Sequence, residues 1–204
     1  MINETLNQTI NSTAQNSFFA ENIPVIVSRA QELILAPSQF PEMIWMVIPL
    51  IAITFIMTFY FSTHKFEELG WNTAVSNSMI GIFVAIDLLR YMYNLTFPGT
   101  IQNWFIDPLK LLVVAGIVAE SLFLVFTDWL HFLPKKVAFF ISSPLPVNLT
   151  SYVVMTIVYT DVAVDFYTLF AALVLFFVLL IVLYSIKVII RVEEKRKLAI
   201  NSES

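Results

Sequence analysis

The sequence predicts an all-α protein, a polytopic bundle of about five membrane-crossing helices, and three observations carry that expectation. First, 58% of the 204 residues are hydrophobic and only 13% are charged, too little polar surface to coat a water-soluble domain of this size. Second, apolar runs long enough to cross a bilayer recur at 43–61, 74–93, 108–130 and 166–190. Third, Lys and Arg are concentrated in alternate intervening segments, as the positive-inside rule requires of a multi-pass chain.

Residues 1–22 read as a polar extracytoplasmic tail. Asn3, Asn7 and Asn11 each open an N-x-[ST] triplet, repeated every four residues. They are glycosylation candidates, although a tail rich in Asn, Ser and Thr also produces such triplets by composition. The tail lacks Lys and Arg and has no apolar core before Phe18, so a cleaved secretory signal is not expected and the first span serves for insertion. Residues 23–37 have helical periodicity, with Val27, Ala30 and Ile34 on one side and Ser28, Arg29 and Glu32 on another. Pro24 and Pro37 bound the segment. It is too short to span and reads as an interfacial amphipathic helix.

The first span, 43–61, has no charge and carries Trp45 and Tyr60 as interfacial aromatics, with Pro49 expected to kink it. The second, 74–93, contains Asp87 and Arg90, and Asn72 or Thr73 is the expected cap. The third, 108–130, has Lys110 near one end and Glu120 in the middle. The last, 166–190, is the most apolar, and Lys187 can snorkel from its end. Between them, 137–159 is long enough to cross but holds Ser142, Ser143, Pro144, Pro146 and Asn148. It is either a span with a broken first half or a re-entrant or interfacial segment, which would leave four spans.

Charge separates these alternatives. Lys65, the pair Lys135 and Lys136, and the group Lys187, Arg191, Lys195, Arg196 and Lys197 can all be cytoplasmic only if the chain crosses between Lys136 and Asp161. The expected arrangement is therefore a bundle over 43–190 with the amino terminus outside. Residues 191–204 form a basic cytoplasmic tail, and Asp161 to Asp165 form an acidic external turn. Asn94, also in a sequon, falls at the membrane edge, and Asn148 falls inside a span.

The chemistry available is narrow. With no cysteine, four glycines and none of the HExxH, GxSxG, P-loop or GxGxxG patterns, no catalytic, cofactor or metal site is expected. His64 and His131 fall at the same end of their spans, near Glu67, Glu68 and Asp128. They read as interfacial residues more readily than as a metal or haem site. The net charge of −4, with the bases gathered in the tail, argues against a nucleic-acid partner.

Ionisable groups inside spans are costly, which singles out Asp87, Arg90 and Glu120. Thr73, Ser76, Ile80, Phe83, Asp87, Arg90 and Asn94 share one helical face, expected to point into the bundle, and Asp87 and Arg90 are spaced to pair. On the third span Ala115 and Ala119 form a small-xxx-small surface suited to close helix approach. The function expected is that of a multi-pass membrane scaffold or accessory subunit of a membrane complex. The lipid bilayer and other membrane subunits, or copies of itself, are the expected partners. The alternative is a small channel or proton-coupled transporter using Asp87, Arg90 and Glu120. The sequons favour the cell membrane of an archaeon or a eukaryotic secretory-pathway membrane.

Overall fold

The computed structural model describes residues 2–64, 67–93 and 107–203, and every regular element among them is helical. In chain order they are α1 (Ile2–Gln39), a 3-10 turn (Pro41–Met43), α2 (Ile44–Thr63), α3 (Trp71–Ser78), α4 (Ile80–Tyr93), α5 (Pro108–Trp129), α6 (Lys135–Ile141), α7 (Pro144–Tyr159) and α8 (Phe166–Glu203). Five segments are long and apolar enough to cross a membrane: Pro41–Thr63, Trp71–Tyr93, Pro108–Trp129, Lys135–Tyr159 and Phe166–Glu193.

Local chemistry sets most of the boundaries. Asp107 caps α5 by accepting from the Lys110 backbone N–H at 3.1 Å, and Pro108 occupies the first helical position, where its missing N–H costs nothing. At the other end of α5, His131 adopts φ 53° and the Phe132 N–H returns to the Thr127 carbonyl at 2.9 Å. That is a Schellman ending with histidine in the position usually held by glycine. The ring of His131 lies 4.1 Å from that of Trp71, a packing contact that accompanies the left-handed backbone. The Lys135–Tyr159 segment breaks at Ser142 and Ser143, and α7 restarts on Pro144. The proline pair therefore interrupts the segment without ending it, because both prolines sit in the first turn of the new helix.

Three local expectations are corrected. Neither Pro24 nor Pro37 bounds a short helix: α1 is continuous from Ile2 to Gln39 and includes the sequon-bearing leader. The cap preceding the second span is Gly70, with extended backbone, so the helix starts at Trp71 ahead of Asn72 and Thr73. That span also divides at Met79, where the Ile82 N–H bonds to the Met79 carbonyl at 3.1 Å in a tighter turn.

Helix α7 packs against every other helix. Val154, Met155, Val158 and Tyr159 from α7 join Met43, Val47 and Leu50 before and within α2, Val84 and Leu88 from α4, and Val114 and Ile117 from α5 in one buried apolar cluster. By contrast α8, whose Phe166–Glu193 stretch is the most apolar of the five spans, leaves Phe166, Phe177, Ile181 and Tyr184 exposed along its length. This inversion is expected in lipid, where apolar side chains gain nothing by turning inward and small or polar ones gain hydrogen bonds and close packing. At 38 residues α8 measures roughly 57 Å, well beyond a hydrocarbon core of about 30 Å.

Helices α4 and α5 approach closely at Gly81. A Cβ placed on Gly81 would stand 2.1 Å from Ser121 Oγ and 3.0 Å from Ile117 Cγ1. The small-residue surface of Ala115 and Ala119 is not used by another helix among the described residues: both are exposed, and a Cβ on Gly116 would meet open space. The buried stripe of α5 runs instead through Val114, Ile117, Ser121, Leu124 and Asp128.

Candidate functional site

Antiparallel packing gives the bundle two ends. One gathers the start of α2, the end of α4, the start of α5 and the end of α7, and Asp87 marks it. Arg90 donates to Asp87 Oδ1 at 2.8 Å, and the Tyr159 hydroxyl donates to Oδ2 at 3.2 Å, so both carboxylate oxygens are engaged. Tyr159 is buried and stacks on Tyr91 at 4.0 Å. The spacing of three residues brings Asp87 and Arg90 together, but the pair lies at the bundle surface, with Asp87 14% and Arg90 66% exposed. The expectation that their stripe faces inward holds only in part: Ser76, Phe83 and Arg90 are exposed, Thr73, Ile80 and Asp87 are half-buried, and the fully buried face is the opposite one, Ala74, Asn77, Ser78, Gly81, Val84, Ala85 and Leu88. That inward face is the one whose small residues admit α5 closely.

The same end is tied by further polar contacts. Lys110 bridges to Asp161 at 3.1 Å, and Arg29 of α1 reaches Glu32 at 2.7 Å and Asp165 at 3.6 Å. Asp165 also caps α8, accepting the Thr168 N–H at 2.8 Å. That backbone bond is the main reason its carboxyl is held below the ordinary carboxylate range, with Arg29 adding to it.

Glu120 is not part of this group. It is exposed on α5, next to Thr150 of α7, one helical step from the buried stripe. The three intramembrane charges thus divide into a pair at one end and a separate carboxyl in mid-span that has Thr150 as its partner within the chain.

The opposite half of the bundle holds a polar interior that sequence reasoning missed. Asp128 is fully buried and accepts from Ser78 Oγ at 3.1 Å, while the neighbouring Asn77 donates to the Ser142 carbonyl at 3.0 Å. Further along α7, Asn148 donates to the Leu50 carbonyl at 2.9 Å and to Thr54 Oγ1 at 2.7 Å. Asp128 Oδ1, Ser142 Oγ, Asn148 Oδ1 and Ser151 Oγ are buried without a partner among the described residues. Oxygen atoms of this kind can hold ordered water or a small hard cation. The available signal was the α5 register: Val114, Ile117, Ser121, Leu124 and Asp128 recur at steps of three and four.

His64 packs on Tyr60 and His131 on Trp71, so each has its own aromatic partner. Among the described residues no group of three or more His, Cys, Asp or Glu could hold a metal ion. Asn3, Asn7 and Asn11 lie within α1, in a stretch whose side chains are not described, and Asn94 and Lys65 fall outside the described residues. The chain matches no protein-family model, and no curated protein or solved structure matches it. What fold and charge together define is an all-helical protein with five helices able to cross a membrane.

Proposed function

We propose that this protein is a non-enzymatic multi-pass membrane scaffold or accessory subunit, with its amino terminus outside and its carboxyl terminus cytoplasmic. The observation that supports this most is Glu120, a carboxyl exposed in the middle of a span. Left facing lipid, an ionised group there costs roughly 2.5 to 3.5 kcal/mol on insertion scales, a cost that a neighbouring subunit's hydrogen-bond donor removes. The exposed Ala115, Gly116 and Ala119 beside it suit the close approach of that neighbour's helix. A second support is the apolar cluster around Met155, which lies between the surface pair Asp87 and Arg90 at one end and Asn148 and Asp128 in the other half. That placement weighs against the channel or proton-coupled carrier reading. In the same reading the leader sequons face outward and are available for glycosylation.

The test is purification through a carboxyl-terminal tag from native membranes in mild detergent. A stoichiometric membrane partner is expected, retained by Glu120→Gln and lost by Glu120→Leu while both variants stay helical. In parallel, the chain alone in proteoliposomes is expected to carry no flux. A proton or ion flux abolished by Glu120→Gln would replace the scaffold with the carrier.

A further inference from the structure

At the Asp128 end, the last turns of α2, the α6–α7 junction and α8 enclose a groove of about 260 Å³. Its walls are apolar, formed chiefly by Met57, Phe61, Leu145, Leu180 and Leu183, and Lys187 closes it at the membrane edge. Arg191 follows Lys187 by one turn, which puts the two cations on the same side of α8, close enough to repel one another. Arg191 Nε is buried without a hydrogen-bond partner, and no ion pair reaches either residue among the described residues. Lys187 in the groove wall and Arg191 one turn beyond it together suit an anion, and the apolar groove beside them suits one with an apolar body. From Phe166 to Lys187 the helix rises roughly 31 Å, about one hydrocarbon thickness, so the cations stand at headgroup level.

We propose that this groove binds one anionic phospholipid, its phosphate held by Lys187 and Arg191 and one acyl chain laid along Leu180, Leu183, Leu145 and Phe61. Guanidinium and ammonium groups both suit a phosphate monoanion or diester, and arginine can grip it through two parallel donors. The site is independent of the Glu120 face on α5, so it stands whether or not the chain is a subunit of a larger assembly. With the orientation proposed above it opens toward the cytoplasmic leaflet, where anionic lipids are concentrated.

The test is native mass spectrometry of the full chain released from mild detergent, titrated with phosphatidylglycerol and with phosphatidylcholine of identical acyl chains. One phosphatidylglycerol should be retained preferentially, and the double variant Lys187→Gln with Arg191→Gln should weaken it about tenfold or more. Lys135→Gln, which removes a cation at the same end that is paired with Glu68, should change nothing. Leu183→Trp, which fills the groove and leaves both charges, should also displace the lipid. Exchanging the cations, Lys187→Arg with Arg191→Lys, should preserve binding and serves if the Gln variant does not fold. Equal retention of both lipids, or undiminished phosphatidylglycerol in the charge and groove variants, would overturn the proposal. So would displacement by inorganic phosphate at matched concentration, which would make this a free-phosphate site.

Discussion

Gly81→Leu is expected to prevent α4 and α5 from packing and to abolish recovery of folded protein. Even the first carbon of any side chain there collides with Ser121 Oγ and presses on Ile117. Ser121 can rotate its hydroxyl away, but Ile117 is buried in the central cluster and has no free direction. Gly81→Ala should therefore destabilise by about 1 to 3 kcal/mol, the usual range for an overfilled site. Adding Ser121→Gly to Gly81→Ala should recover part of that loss, because the two positions share one contact. Gly116→Ala is the control: its Cβ meets nothing, so the change should be neutral or stabilise the helix by roughly 0.5 to 1 kcal/mol. Thermal unfolding in detergent, followed by helical circular dichroism, separates the four outcomes.

The second large effect is expected at Met155, fully buried in the second half of α7. Truncation to alanine opens a void among helices that cannot all collapse into it, and comparable buried sites lose about 2 to 5 kcal/mol. The lower half of that range applies in a membrane, where moving methylenes into lipid carries no penalty and only packing contacts are lost. Ile181→Ala removes a similar volume from the exposed side of α8 and should change stability by less than about 0.5 kcal/mol. A protein scaffolded by its greasiest helix would show the opposite order.

That contrast marks how far the sequence could be read. Existence and rough extent of four spans follow from apolar length, the fifth, 137–159, needs the distribution of Lys and Arg as well, and the interruption at Ser142 to Pro144 follows from proline chemistry. Which face of each span turns inward does not follow, because lipid and protein interior are equally apolar. The polar stripe through Ser76 and Arg90 was therefore a poor guide, whereas the small residues Ala74, Ser78 and Gly81 marked the buried face. Asp87 and Arg90 were paired correctly by spacing, yet Tyr159, 72 residues away from Asp87 in sequence, could be found only in three dimensions. Asp128 groups in sequence with the interfacial residues around His131 because it stands near a helix end, where a carboxylate ordinarily meets water. Glu120 stood out because of its depth, but depth says nothing about whether it faces a neighbour within the chain or beyond it.

The central claim, a five-fold crossing in which Lys135–Tyr159 is a true span, is open to direct measurement because the chain has no native cysteine. Single cysteines at Glu21, Lys136, Ala163 and Ser202 can be labelled with a membrane-impermeant maleimide in sealed, oriented vesicles. Lys136→Cys and Ser202→Cys should react from one side, and Glu21→Cys and Ala163→Cys only from the other. Labelling of Lys136→Cys and Ala163→Cys from the same side would mean that the segment between them re-enters without crossing, and the five-span bundle built around α7 would be wrong.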